Sequence, residues 1–377
     1  MLRTAPRLVA VFLAAAFLLL YLQCGGTASQ PAAPQPTPSP APAPAPAPAP
    51  STPQPVTVGV EVFKDGLNFP VKLAFAPDGR LFFTQKGGLV RILQNGQVLE
   101  PPFVTLKVEA EGERGALGIA FDPDFGTNNF VYVFYSDASG VNRVVRFTDS
   151  NNVGINEAVI VDGIPHSHFH NGGNIEFDRT GHLFVSTGDA LNPANSQDPN
   201  SRHGKILRYN RDGSIPPDNP LGGGNPVFAL GLRNPFDFAF HPQSGVMYVS
   251  ENGPECDDEA DRIVPGGNYG WRPNYPCGDT DPRFIAPIAR YSPPVVPTGI
   301  MFYTGDRFPQ FTGHVLLAQF GDGKIRHLVV DDANSGKVSR DEIIVNGGFG
   351  KLIDMVQGPD GLIYFNNDHA ILRLVPR

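Results

Sequence analysis

Three histidines, His166, His168 and His170, occupy alternate positions in the stretch IPHSHFHNGGNIEFD, a third of the nine in the chain. Imidazole carries protons near neutral pH and ligates metals, so the cluster has three readings. Alternation along a strand would put all three rings on one face, as a zinc site requires. A general base needs only one of them and a carboxylate partner, and Asp189 in STGDA is a candidate for that partner. The third reading is a crowded loop with no chemistry. Gly172 and Gly173 follow directly and suit a loop in which backbone approaches a flat ligand.

Two more polar clusters lie downstream. Arg233 and Asn234 precede a proline in ALGLRNPFDFAF, and SENGPECDDEADRIVPGGNYGW is acidic and rich in glycine. Carboxylates beside exposed carbonyls form the hard-oxygen set that calcium takes. The competing reading is a solvated acidic turn.

The elements that must position these residues are strands. The 377 residues include 42 Gly, 39 Pro and 27 Phe, a composition that favours turns and pleated, half-buried surfaces. One phrase recurs: an apolar triplet, a turn, then an alternating apolar strand. It appears as LAFAPDGRLFFTQ, IAFDPDFGTNNFVYVFYS, IEFDRTGHLFVSTGD and FAFHPQSGVMYVSENG, and more loosely as IMFYTGDRFPQFTGHVLLAQF and VQGPDGLIYFNND. Six copies predict an all-β protein, a six-bladed β-propeller of four-stranded sheets spanning 57–377. VTVGVEVF lacks the phrase and is expected to join the last blade, closing the ring and removing a sheet edge. The polar clusters flank the repeated strands, where loops at one end of a propeller carry ligand groups.

Residues 1–24 read as an exit signal: Arg3 and Arg7 precede a short apolar run that ends near Cys24. Cys24 is a candidate lipid anchor, and free secretion is the alternative. Residues 25–56 are a Pro/Ala-rich linker, expected to be extended. In an exported domain the remaining cysteines, Cys256 and Cys277, are expected to pair. A net charge of -8 with no basic face argues against a nucleic-acid partner. Phosphate-cradling glycine motifs are also missing.

The order GERGALGIAFDPDF, HNGGNIEF, GKILRYNRDGSIPPDNP, GLRNPFDFAF and ENGPECDDEADRIVPGGNYGW resembles the glucose/sorbosone dehydrogenase family. More narrowly, it resembles the soluble aldose dehydrogenases that use pyrroloquinoline quinone (PQQ). The resemblance implies a six-bladed propeller and oxidation of an aldose, with an electron acceptor it does not name. By position it implies that His170 is the base and Asp189 the carboxylate orienting it. Arg233 and Asn234 would contact quinone and substrate oxygens, and the carbonyls of Gly253 and Pro254 would hold a calcium ion. Glu259 and Tyr269 would belong to a second calcium site. His166 and His168 become bystanders.

Four positions, in three places, depart from the family pattern. A glutamine that touches the cofactor falls at Glu113, which would then face a tricarboxylate. A lysine falls at Asp322, with Lys324 out of register, and two arginines fall at Lys351 and Ile353. Thinned cations leave a bound polyanion less compensated. Two other readings therefore stand beside the dehydrogenase: a calcium-stabilised propeller that binds a glycan or a protein without the quinone, and a lactonase-like hydrolase using His170 and calcium.

Overall fold

The computed structural model describes residues 32–35, 54–332 and 335–377. The exit signal, Cys24 and nearly all of the Pro/Ala tract lie outside the described residues. Each copy of the recurring phrase forms the two innermost strands of one antiparallel sheet, and the six sheets close into a ring. Their inner strands are Pro70–Phe75, Ala116–Phe121, Ile175–Phe177, Pro235–Phe240, Pro297–Phe302 and Asp354–Gln357. The turn within the phrase is short because Gly79 takes a φ of 89°, letting Gly79 N–H donate to the Ala76 carbonyl. Closure follows the expectation: Val58–Lys64 pairs with Ile371–Pro376 as the outer strand of the last blade. The first blade departs from four strands. Val104–Thr105 adds a fifth, pairing with Leu89–Gln94 beside Gln97–Val98.

The phenylalanine that ends the apolar triplet locks neighbouring blades together. Phe75, Phe121, Phe177, Phe240 and Phe302 each meet an aromatic ring on the second strand of the preceding blade. The partners are Tyr364, Phe82, Tyr132, Phe184 and Tyr248, at centroid separations of 4.9 to 5.3 Å, edge to face. Such pairs contribute about 0.5–1.5 kcal/mol each beyond the area they bury. The sixth blade has Gln357 instead, which accepts from Thr304 N–H at 2.8 Å.

The residue three positions before the end of each inner strand faces the channel. Around the ring these are Lys72, Gly118, Asn174, Asp237, Gly299 and Asp354. Lys72 Nζ lies 2.7 Å from Asp237 and 2.9 Å from Asp354, so three blades meet in one ion cluster across the channel. Burial works against the ammonium charge, but the two carboxylates outweigh it and hold Lys72 well above the ordinary lysine value.

One residue before the end of each strand, the ring reads Ala74, Ala120, Glu176, Ala239, Met301 and Val356. Glu176 is the one acid in this apolar ring, and desolvation pushes it up to about 8. Its folded form keeps a proton that the unfolded chain loses from about pH 4.5, so its stabilising contribution fades as pH rises toward 8. Glu176→Gln should therefore flatten the fall in melting temperature over that window. Parallel wild-type and variant curves would remove Glu176 from the account.

Cys256 and Cys277 are joined, 21 positions apart, around the segment that carries Glu259 and Tyr269. Closing such a loop stabilises by about 3 kcal/mol. The Cys256→Ala/Cys277→Ala variant should lose about that much in denaturant unfolding. A much smaller loss would mean that the Arg290–Glu259 and Arg272–Asp279 pairs already hold the loop.

Candidate active site

The histidine cluster is not on a strand. The outer strand of the second blade ends at Pro165, and His170 has a φ of 59°, which breaks the alternation that would align the rings. The expectation of one shared face is corrected: the three rings have separate partners. His166 Nε2 lies 3.1 Å from the Asp137 carbonyl, His168 Nδ1 lies 3.4 Å from Arg114, and His170 Nδ1 lies 2.7 Å from Asp189 Oδ1. Among the described residues, no three His, Cys, Asp or Glu side chains converge to hold a metal.

Asp189 is 1% exposed and held from several sides. Leu191 N–H donates to Oδ1 at 2.8 Å and Trp271 Nε1–H donates to Oδ2 at 2.7 Å. A carboxylate so placed can only accept, so His170 presents Nδ1–H to it and leaves Nε2 with a free lone pair. Trp271 escaped the sequence reading although it closes the NYGW motif. Nothing in that motif says its indole reaches a carboxylate 82 positions away.

Glu113 lines a cavity at the end of the channel and is also an organiser. Its Oε2 accepts from His170 N–H at 2.7 Å and from Asn234 Nδ2 at 3.2 Å. Asn234 Oδ1 in turn accepts from Gly172 N–H at 3.1 Å. Glu251 binds the backbone N–H groups of both Arg233 and Asn234. Arg233 donates to the Asn252 carbonyl at 2.9 Å and lies over the Trp271 ring, 5.5 Å from its centroid. Loops from the second, third and fourth blades are thereby tied into one network around His170.

Backbone strain collects at the same place. Among the described residues, eleven non-glycine residues have positive φ; six are asparagine, which tolerates it. The other five are Phe69, His170, Ala190, Leu191 and Val296. Phe69 and Val296 line the same cavity as Glu113, while Ala190 and Leu191 follow Asp189. Strain of this kind, about 1–3 kcal/mol per residue, marks positions that the surrounding structure holds for a purpose.

That cavity, about 390 Å³, opens at the end of the channel beside His170. Its wall is aromatic and aliphatic, with Phe69, Phe169, Phe236, Phe320, Leu117 and Ile353, and its floor is the Lys72–Asp237–Asp354 cluster. The size and apolar lining suit a small planar ligand. The cations are distributed differently from the motif pattern. Lys324 is paired with Asp322 at 2.8 Å, and Lys351 is exposed, its Nζ 4.8 Å from the Phe320 centroid.

Gly253, Pro254, Glu259 and Tyr269 do come together, around a cavity of about 10 Å³ that also touches Arg233 and Glu251. That is room for about one water or ion. Glu259 is already engaged by Arg290 at 2.8 Å. The Tyr269 hydroxyl donates to the Arg262 carbonyl and accepts from Val264 N–H, so it is already engaged. Nearby, Glu251 Oε2 and both oxygens of Asp261 are buried without hydrogen-bond partners.

Comparison with known proteins adds to this geometry. Residues 67–375 match the model of the Glucose / Sorbosone dehydrogenase family. The aldose sugar dehydrogenase YliI of Escherichia coli is 29% identical over 355 residues, covering 85% of this chain and 94% of that protein. The PQQ-bound aldose sugar dehydrogenase of Streptomyces coelicolor superposes with a TM-score of 0.75 at 28% identity, covering 86% of this chain and 99% of that one. The apo-form of the soluble E. coli aldose sugar dehydrogenase gives 0.75 at 28%, covering 85% and 100%. With the fold, the motif order and the family match in agreement over nearly all of the ring, the chain belongs to the glucose/sorbosone dehydrogenase family.

Proposed function

We propose that this chain is an exported quinoprotein that oxidises aldoses at the anomeric carbon to lactones, using PQQ and calcium. The observation that carries the reading is the His170–Asp189 pair, fixed in one tautomer beside an aromatic-walled cavity. The donor set fits the cofactor at its quinone end: the Asn234 amide lines the cavity, and Arg233 precedes it with one guanidinium nitrogen on the Asn252 carbonyl. The phenylalanine walls suit a planar ring. For calcium, the carbonyls of Gly253, Pro254 and Tyr269 and the carboxylate of Glu259 supply oxygen donors, beside the unpartnered oxygen of Glu251.

When bound, the quinone supplies a two-electron acceptor for the hydride leaving the anomeric carbon. The rest is the work of the chain. His170 Nε2 takes the proton from the anomeric hydroxyl, and Asp189 stabilises the imidazolium that forms. Trp271 and Leu191 keep Asp189 from turning away. Glu113 fixes the His170 backbone and the Asn234 amide in one register, so base and donors keep their spacing. Arg233 and Asn234 donate to oxygen atoms that gain negative charge as the hydride departs.

The test is reconstitution. PQQ and calcium are added to the purified protein, and quinone absorbance and dye reduction are followed with a panel of aldoses. Dye reduction by at least one aldose is the expected result; none from a protein that binds PQQ would sink the proposal. One observation favours a second reading, in which a calcium-stabilised propeller binds a glycan or protein without the quinone. Asp322 and Ile353 stand where the family pattern has cations, and Ile353 lines the cavity itself.

A further inference from the structure

The cavity holds two lysines, and their situations differ. Lys72, on the floor, is bound by both Asp237 and Asp354, so the floor carries a net negative charge when both acids are ionised. An anionic group gains nothing there. Lys86 lines the upper wall and forms no ion pair among the described residues. Its ammonium lies 5.2 Å from the centroid of Phe69, and its backbone N–H donates to the Phe69 carbonyl at 3.0 Å. Phe69 is one of the five strained residues, with a φ of 48°. The strained backbone thus fixes both a wall of the cavity and the cation beside it. Lys351 repeats the arrangement on the sixth blade, over Phe320, another wall residue, and likewise without an ion pair among the described residues.

We propose that Lys86 binds a carboxylate of the anionic cofactor, completing a clamp with Lys351, which already stands where the family pattern has an arginine. This deepens the quinoprotein reading and rests on it. The clamp takes over from the cations missing at Asp322 and Ile353, and the acids on the floor turn the carboxylates toward the mouth. A charged ammonium held over an aromatic face keeps its place in the wall, so a carboxylate within reach gains a charge-assisted hydrogen bond.

The experiment measures PQQ binding to the full chain by titration calorimetry, with no turnover involved, for wild type, Lys86→Gln and Lys351→Gln. The trimethyl ester of PQQ serves as an uncharged control. Lys86→Gln should weaken binding of the acid by about 10- to 100-fold, the range for one charged hydrogen bond, and leave ester binding unchanged. Raising salt should weaken the acid more in wild type than in the variant. If wild type binds the acid and Lys86→Gln binds it equally well, the clamp is overturned and the quinoprotein reading stands. Equal weakening of acid and ester would also overturn it, since lost wall structure and not lost charge would be the cause. If wild type binds neither, the quinoprotein reading falls and takes the clamp with it.

Discussion

Replacing His170 with asparagine should lower aldose oxidation by about 10²–10⁴-fold, the usual effect of losing a positioned base, with little change in the fold. Asparagine is the informative choice because His170 sits at a φ of 59°. Every other non-glycine residue with positive φ away from the cavity and the Asp189 loop is an asparagine, among the described residues. Alanine there would add backbone strain and confuse the reading. His166 and His168 serve as controls: one ring faces a carbonyl and the other a guanidinium, and neither touches Asp189. Their alanine variants should keep most of the activity. Rates, melting temperature and calcium content are measured for all three. Equal inactivation by all three substitutions with loss of stoichiometric zinc would restore the metal reading and end the dehydrogenase assignment. A His170→Asn protein as active as wild type would remove the base from the mechanism.

The blades were legible because the phrase is built from turn chemistry and period-two alternation, which local sequence expresses directly. The pairing of His170 with Asp189 was legible through motif order. The wrong geometry came from the same alternation: His-x-His-x-His has a strand period, and nothing in it shows that His170 would adopt a left-handed backbone. Pro165 before the cluster and the glycine pair after it were the available signals. The organising role of Glu113 was missed for another reason. Its role depends on N–H groups 57 and 121 positions away, and a one-residue comparison with glutamine says only that an acid stands there. The ion cluster was hidden differently. Lys72, Asp237 and Asp354 stand at the same place in three copies, just ahead of Leu73, Phe238 and Met355, so stacking the copies by register would have shown them facing one axis.

Lys72→Met should be the most damaging single substitution in the channel. Removing one partner of a buried ion pair typically costs about 3–5 kcal/mol, because the remaining charge is left uncompensated. Two carboxylates are left here, each 2% exposed and facing the other from separate blades. Asp354 is already displaced upward because burial outweighs the help of Lys72. Some relief comes from the channel, since Lys72 keeps 18% of its side chain exposed, which places the expectation toward the lower end of the range. Both acids also hold backbone: Asp354 Oδ2 accepts from Leu73 N–H at 2.7 Å and Asp237 Oδ2 from Ile300 N–H at 2.9 Å. Protonating them to escape repulsion would weaken those bonds as well. Adding Asp237→Asn to Lys72→Met should therefore restore part of the loss, so that the double variant is more stable than the sum of the single effects. Denaturant unfolding of the four proteins measures the coupling. A Lys72→Met protein within about 1 kcal/mol of wild type, below the range for breaking such a pair, would show that channel water solvates the cluster. The cluster would then add little to the contacts between neighbouring blades.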